Sequence, residues 1–292
     1  MSQDLAASIR ARLLNIAKAD NTDFNQILVR YALERFLYRI SLSEYSDQFL
    51  LKGALLFTLW YDMPHRPTRD ADLLGFGDSN LKSLEKTFRD IAIIKVDDGI
   101  LFEPDSVVVE EIRKEAGYSG ARIVICAELA KAKTRTQIDI GFGDAVTPNP
   151  VDATYPTLID GMPAPQLRVY PVYTVVAEKL HAIVLLGMTN TRLKDYFDLQ
   201  VLIEREEINI NILSEAISAT FVRRGMRIPT ELPIGLTVEF AEDPSRQKLW
   251  NAFLLKNDLK LTSLSGAVKQ IKELFEKYLI TLYANKRIQK LE

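Results

Sequence analysis

The sequence predicts an α+β (mixed α/β) fold, with an N-terminal lobe built on a mixed sheet and a helical C-terminal lobe. Between about 69 and 170, short β-branched segments end at glycine or charged residues, which is typical of strands. On both sides of this region, apolar residues recur at helical spacing. A proline-bounded connection ends near residue 171, so we expect the lobes to comprise 1–168 and 169–292.

The individual elements follow from periodicity and punctuation along the chain. Two helices are predicted within 4–46, with a break and a cap at Asn21 and Thr22. The segment DQFLLKGALLFTLWYDM is either a buried helix or a strand, a turn and a helix. We also expect strands in DADLLGF, DSVVVEEIR, ARIVICAEL and RTQIDIGFG, a helix at 79–93, and C-terminal helices at 174–188, 192–205, 209–222, 245–256 and 262–287.

Composition limits the classes of function open to the chain. Its 292 residues include one cysteine, Cys126, and two histidines, which excludes an internal disulfide and leaves little material for a zinc site or Cys/His catalysis. Any metal is therefore expected to be held by oxygen. No apolar run reaches the roughly 20 residues of a membrane span, and the N-terminus lacks a signal peptide's apolar centre, so we expect a cytoplasmic protein.

The charge of the chain is nearly balanced. Lys and Arg number 37 against 39 Asp and Glu, a net charge of -2 that provides no global attraction to nucleic acid. An RNA partner would therefore have to use a local basic patch, although such a patch is more often only a solvated face. The candidates are FVRRGMR, the tail ANKRIQK, and Lys131, Lys133 and Arg135.

Two aspartates, Asp70 and Asp72, stand one residue apart in RPTRDADLLGFGD. Side chains at i and i+2 of a strand point to the same face about 6–7 Å apart, so both carboxylates can reach a common cation. Asp139 stands in TQIDIGFGD, which ends in the same Gly-Phe-Gly-Asp as the first segment. This similarity indicates a second strand that ends at the same sheet edge. Carboxylates placed in this way suit magnesium and phosphoryl transfer. The structural alternative makes Asp70 a cap at the start of the strand, Asp72 an ion-pair partner of Arg66 or Arg69, and Asp139 a charge at the sheet edge.

Three ordered stretches of the chain, which together carry four motifs, resemble a known family. FLLKGALLFTLWYDMPHRPTRDADLL, then TQIDIG, then AEKLHAIVLLGMTNTRLKDYFDL is similar to the AbiEii/AbiGii nucleotidyltransferase toxins, a branch of the DNA polymerase β-like nucleotidyltransferase superfold. The resemblance spans about 50–200. It implies a nucleotidyltransferase-like mixed sheet, Mg²⁺ or Mn²⁺ as the cofactor, and an NTP as the substrate.

The resemblance also implies roles for residues at the matching positions. Backbone amides near Gly53 would approach the triphosphate, and Lys179 would offset charge on the phosphates. Ala54 departs from the Ser or Gly that usually follows this glycine, which removes a hydroxyl contact. The implied sets are Asp70, Asp72 and Asp139 as metal ligands, these three with Lys179 and Asp195 as catalytic residues, and Lys52, Gly53, Arg66, Thr68 and Asp198 as nucleotide-binding residues.

Two further expectations concern the C-terminal motif. Asp198 stands three residues after Asp195, on the same helical face, and we expect it to orient Lys179 or Arg192. His181 lies inside an apolar run, which favours a hydrogen-bonded core histidine over a catalyst.

The function implied by the resemblance is a magnesium-dependent toxin of a toxin–antitoxin system. It would transfer a nucleoside monophosphate from an NTP to an acceptor hydroxyl, with the 3′ end of tRNA as acceptor, an antitoxin as partner and phage defence as outcome. Two alternatives stay open: a non-catalytic nucleotide- or partner-binding scaffold of the same fold, favoured by Ala54, and a transferase acting on a protein or small-molecule hydroxyl.

Two other enzyme classes fail simple checks of the sequence. A ribonuclease with an Arg-x4-His motif is not supported, because neither His65 nor His181 has an arginine five residues before it. The chain also has no Gly-x4-Gly-Lys, so it lacks the phosphate-binding loop of an ATPase.

Overall fold

The chain folds into two compact units. This computed structural model describes residues 3–61, 66, 68–113, 119–260 and 262–288. The first unit comprises Met1–Gly143 and Val151–Val169, and the second comprises Asp144–Pro150 and Tyr170–Glu292. The chain therefore contributes a short segment to the second unit before it returns to the first.

The first unit is a mixed sheet with helices packed on it. Its helices are α1 (Gln3–Ala19), α2 (Phe24–Leu42), α3 (Leu55–Tyr61) and α4 (Leu81–Ala92). The strands in the described part of the chain are β1 (Phe49–Lys52), β2 (Asp70–Gly75), β3 (Ile100–Phe102), β4 (Val108–Arg113), β5 (Ser119–Leu129), β6 (Ala132–Phe142), β7 (Val151–Thr154) and β8 (Gln166–Val169). Together with the helical second unit, this confirms the predicted α+β class.

The strands are arranged in the order β3-β5-β6-β2-β1-β8-β7, with β4 also paired to β5. The pairs β2/β6 and β1/β8 are parallel, and the other pairs are antiparallel. Strands β2 and β6, which both lead into Gly-Phe-Gly-Asp, are thus parallel neighbours, and Gly75 pairs with Phe142 where both end. This confirms the prediction that they end at the same edge of one sheet.

One face of the sheet is apolar and buried. In β5, the buried residues Ile123 and Ile125 alternate with half-buried neighbours, and in β6 the buried Ile138 and Ile140 flank Asp139. Helices α1, α2 and α4 pack against these strands. Because strand side chains alternate between faces, the polar residues of β2, β5 and β6 share the other face, which is called the open face below.

The start of α2 differs from the sequence prediction. Asp23, not Thr22, is the N-cap, and its carboxylate accepts a hydrogen bond of 2.9 Å from the backbone N–H of Asn25. The Thr22 hydroxyl donates instead to the backbone carbonyl of Asp20. Downstream, the described part of DQFLLKGALLFTLWYDM, which ends at residue 61, contains β1, a turn at 53–54 and α3, which is the second of its two predicted forms.

The second unit is helical. Each of the five predicted C-terminal helices begins and ends within about two residues of its observed bounds. The short α8 was not predicted, because five residues are too few to show a helical period. The helices are α5 (Val172–Leu186), α6 (Leu193–Arg205), α7 (Ile210–Arg223), α8 (Val238–Glu242), α9 (Pro244–Lys256) and α10 (Leu264–Ile288).

By length and composition alone, Val172–Thr189 is apolar enough to cross a bilayer. This segment consists of α5 and the turn after it. Its Lys179 and Glu178 form ion pairs with other residues of the second unit. The core helix of a globular unit meets the same criteria, so the segment is only weak evidence for a membrane span.

Candidate active site

Four charged residues form a row across the open face of the sheet. Lys52 on β1 lies opposite Asp72 on β2, Asp72 is in register with Asp139 on β6, and Asp139 is in register with Arg122 on β5. Register partners on neighbouring strands project to the same side of a sheet. The row therefore runs cation, anion, anion, cation, and each carboxylate has a cation on its outer side.

Asp70 lies on the same face as Asp72, two residues earlier on β2. The Thr68 hydroxyl donates a hydrogen bond of 2.7 Å to Asp70 Oδ1, which fixes the orientation of this carboxylate. Asp70 is in register with Gln137 on β6. The structure thus brings together the pair of carboxylates expected from the sequence, and it adds a direct contact from Thr68. Arg66, another predicted site residue, is partly buried.

Gly53 makes room for the Asp72 carboxylate. It stands in the turn after β1 with a φ of +75°, in the left-handed region that favours glycine. A Cβ at this position would lie 2.8 Å from both Cβ and Cγ of Asp72, and closer still to Oδ2. Any side chain here would therefore displace the carboxylate. This packing requirement is separate from the approach to phosphates that the resemblance implies for Gly53.

Arg122, which the sequence analysis did not single out, holds Asp139. Its Nε donates to Asp139 Oδ1 at 2.9 Å and its Nη2 donates to Oδ2 at 2.8 Å. Gln137 Nε2 also donates to Oδ1, at 3.2 Å. The hydrogen bond to Asp139 raises the pKa of Arg122 above its ordinary value. A single charged residue at the start of the apolar run RIVIC was the available signal, but its partner depends on strand register.

The carboxylates of β2 fit a magnesium ion in chemistry and number. Asp70 and Asp72 are hard oxygen donors on one strand face, and magnesium is commonly held by one or two carboxylates together with water and phosphate oxygens. In the part of the chain that the structure describes, no group of three or more His, Cys, Asp or Glu side chains is arranged to hold a metal ion. Asp139, whose oxygens are both bound to Arg122, remains a predicted third ligand.

In the second unit, Lys179 on α5 is bound by two buried aspartates of α6. Its Nζ donates to Asp195 Oδ1 at 2.9 Å and to Asp198 Oδ2 at 2.7 Å. Each aspartate side chain is 1% exposed. The expected contact between Asp198 and Lys179 is therefore present.

Arg192 completes this ion cluster. Its Nε donates at 2.8 Å to Oδ2 of Asp195, the oxygen that Lys179 leaves available. Burial alone would raise the pKa of Asp195, but the charges of Lys179 and Arg192 outweigh it and hold that pKa below its ordinary value. The cluster thus contains two cations and two carboxylates, and Asp195 stays ionised within it. The roles of Lys179 and Asp195 toward a nucleotide remain predictions.

Arg224 does not belong to a surface patch, contrary to its place in the basic segment FVRRGMR. Its side chain is 15% exposed, and its Nη2 lies 2.9 Å from Asp144 Oδ1 and 3.2 Å from Glu178 Oε1. Arg224 therefore links the segment 144–150 to α5 within the second unit. The sequence could not reveal this, because the partners lie far away along the chain.

The other candidate basic patches have different surroundings. Lys133 Nζ lies 3.5 Å from Glu103 and 3.7 Å from Glu128, so its charge is partly compensated. Lys131 and Arg135 are exposed at the β5–β6 hairpin. In the tail ANKRIQK, residues 289–290 lie outside the described residues, as does His65.

His181 is a buried core histidine, as predicted. It is 1% exposed, and its ring packs edge-to-face on Phe221 with a centroid distance of 5.1 Å. Its Nδ1 lies 3.4 Å from Arg224 Nη1, so this nitrogen acts as the acceptor in the neutral ring. Burial, and then the charge of Arg224, lower the pKa of His181 to about 4.

We expect His181 to make the protein less stable in mild acid. Its folded pKa of about 4 lies below its ordinary value of 6.5, so the unfolded chain takes up the proton first as the pH falls. The free energy of unfolding should therefore drop by about 2 kcal/mol more between pH 7 and pH 5 in the wild type than in His181→Phe. Urea unfolding at several pH values measures this difference. Parallel pH profiles for the two proteins would contradict the assignment.

The mixed sheet thus carries two carboxylates on one strand face. The family described as "Nucleotidyl transferase AbiEii toxin, Type IV TA system" matches residues 35–280. The chain belongs to this family and is a nucleotidyltransferase of the toxin–antitoxin class, as the sequence motifs indicated.

Two solved structures from Helicobacter pylori are similar to the chain. One is a candidate nucleotidyltransferase with 18% identity and a TM-score of 0.48, covering 90% of this chain and 98% of its own. The other is JHP933, with 15% identity and a TM-score of 0.47, covering 90% of this chain and 97% of its own. A comparison with curated proteins gave no match.

Proposed function

We propose that the protein transfers a nucleoside monophosphate from an NTP to an acceptor hydroxyl in a magnesium-dependent reaction and releases pyrophosphate. The observation that carries this proposal is the pair Asp70 and Asp72 on one face of β2, with Asp72 seated against a glycine that leaves space for its carboxylate. Two carboxylates on one strand face are costly for folding unless cations compensate them. A divalent cation held by both carboxylates would compensate their charge and would in turn bind the phosphates of the NTP.

The residues of the sheet have distinct roles in this proposal. Asp70 and Asp72 would hold magnesium, which when bound supplies positive charge to the phosphates. Thr68 keeps Asp70 in place through its 2.7 Å hydrogen bond. Gly53 allows its own backbone to approach the triphosphate, and Lys52 compensates Asp72 from β1. Such catalysis consists mostly of positioning and charge neutralisation, so small displacements of these groups should be costly.

Lys179, in the second unit, has an electrostatic role in this proposal. We assign Lys179 to the phosphates, where it would offset the negative charge that builds up during transfer. Asp195 and Asp198 restrict its ammonium to one position through contacts of 2.9 and 2.7 Å. A side chain held in this way loses little conformational entropy when a substrate binds.

The acceptor in this proposal is the 3′ end of tRNA, and the biological outcome is toxicity in the cytoplasm with phage defence as its use. Membership of a toxin–antitoxin family supports a cellular target and an antitoxin partner. The net charge of -2 requires RNA to be recognised locally, not by the overall field of the protein.

The test is a transfer assay with purified protein, Mg²⁺, each α-labelled NTP in turn, and total tRNA. We expect label to enter tRNA from one NTP, and Asp70→Ala to reduce the rate by at least about 100-fold because an assigned magnesium ligand is lost. The matched control is Asp105→Ala, which removes a fully exposed carboxylate of the same unit and should leave the rate unchanged.

Three outcomes would contradict parts of this proposal. Undiminished labelling by Asp70→Ala would remove the assigned site. Labelling of the protein itself or of a small hydroxylated acceptor, in place of tRNA, would change the substrate but keep the reaction. NTP binding without transfer to any of these acceptors would favour a non-catalytic scaffold. Replacing Mg²⁺ with Mn²⁺ in the same assay distinguishes the two cofactors.

A further inference from the structure

Arg122 has one edge of its guanidinium bound and another edge available. Nε and Nη2 donate to the two oxygens of Asp139, at 2.9 and 2.8 Å. A guanidinium carries five N–H groups, so three remain after these two bonds. No described residue accepts a hydrogen bond from Nη1. The available edge is the planar fork that matches a carboxylate or phosphate.

The exposure of the pair is uneven. The side chain of Arg122 is 38% exposed, whereas that of Asp139 is 11% exposed. Asp139, fixed in turn by Gln137, behaves as a buried support from which the guanidinium projects.

The position of Arg122 points to the proposed site. Neighbouring strands lie about 4.8 Å apart, so β5 is separated from β2 by roughly 10 Å across β6. Arg122 is on the same open face as Asp70 and Asp72, and its register partner on the other side, Glu110 on β4, shares this face. A phosphate near the carboxylates of β2 would be within reach of a long arginine side chain.

We propose that Arg122 binds a phosphate oxyanion of a substrate, and that Asp139 is the positioning residue that holds the guanidinium for it. This inference rests on the proposed nucleotidyl transfer and adds a binding residue to it. Arginine suits the task because it gives two parallel hydrogen bonds to one phosphate, and its support by Asp139 lowers the entropy lost on binding. The phosphate belongs either to the NTP or to the acceptor, and both sources present the same group.

Two measurements distinguish these sources. Calorimetry with Mg²⁺ and each α,β-methylene NTP measures nucleotide affinity, and the transfer assay measures the KM for total tRNA. If the NTP supplies the phosphate, Arg122→Gln should weaken the affinity by about tenfold or more, since a charge-assisted bidentate contact is lost. If the acceptor supplies it, nucleotide affinity should stay constant and the KM for tRNA should rise by a similar factor. Arg122→Lys should be intermediate in either case, because it retains the charge but loses the fork.

Arg89→Gln is the matched control. Arg89 belongs to the same unit, is 37% exposed, and is also bound to a carboxylate, Glu85, through Nε and Nη2. Its loss removes one surface charge and the contacts with two carboxylates, Glu85 and Asp105, without touching the open face. We expect both affinities to stay within about twofold of the wild type.

A double variant separates binding from folding. Arg122→Gln leaves the Asp139 carboxylate uncompensated, which by itself lowers stability. Adding Asp139→Asn removes that charge, so thermal unfolding should recover while phosphate binding stays weak. Mn²⁺ titration followed by electron paramagnetic resonance should show that Arg122→Gln still binds metal. Wild-type affinities in Arg122→Gln, or recovery of binding in the double variant, would overturn the inference. If the wild type neither binds NTP nor transfers label, the proposed function fails first and this inference fails with it.

Discussion

Gly53→Ala is expected to reduce nucleotidyl transfer by at least about 100-fold although it removes no catalytic group. The added Cβ would lie 2.8 Å from Cβ and Cγ of Asp72, a distance at which one of the two residues must move. Because Asp72 is fixed on β2 between Lys52 and Asp139, its carboxylate must rotate away or the turn after β1 must shift. Either movement displaces an assigned magnesium ligand.

Gly77→Ala is the control for backbone conformation. Gly77 also has a positive φ, +91°, but a Cβ there would meet nothing within 4 Å. Both variants therefore incur the conformational cost of a left-handed alanine, roughly 1–2 kcal/mol, and only Gly53→Ala crowds Asp72. The transfer rate, the Mn²⁺ affinity and the midpoint of thermal unfolding are each measured for both variants. Equal rates in the two variants would show that the position of Asp72 does not matter for the reaction.

The features that could be predicted from the sequence are local in the chain. The spacing of Asp70 and Asp72 fixes their shared face once the segment is a strand, and the similar ends of β2 and β6 indicate a common edge. Helical periodicity placed the helices of the second unit well, because their apolar faces repeat over three or more turns. Propensity and pattern are sufficient for features of this kind.

The features that could not be predicted depend on pairing between distant residues. Arg122 meets Asp139 only because β5 and β6 pair in one register, and a shift by one residue would place them on opposite faces. Arg224 appeared to be a surface cation until the segment containing Asp144 was seen in the same unit. Both arginines form ion pairs with carboxylates that are remote in sequence. The charge pattern of one segment could not show whether its cations face solvent or a buried partner.

Asp98→Ala is expected to lower the free energy of unfolding by about 3–5 kcal/mol, the largest effect on stability that we predict. Arg39 on α2 donates to Asp98 through Nη1 at 2.7 Å and Nη2 at 3.1 Å, and the side chains are 2% and 0% exposed. Removing the carboxylate leaves the buried guanidinium of Arg39 without the counter-ion that compensates its charge. Urea unfolding measures the loss, and Glu85→Gln, which breaks a pair exposed by 37% and 41%, should cost less than about 1 kcal/mol.

The double variant Arg39→Met/Asp98→Ala tests whether the loss comes from an uncompensated charge. Replacing a buried ion pair with apolar residues is often nearly neutral, so part of the stability should return. The recovery should be incomplete, because Arg39 also donates to the backbone carbonyls of Ile94 and Ile100, which methionine cannot do. No recovery at all would show that these carbonyl contacts, and not the ion pair, dominate. Full recovery would show that the sheet and α2 need only the volume of the arginine side chain at this position.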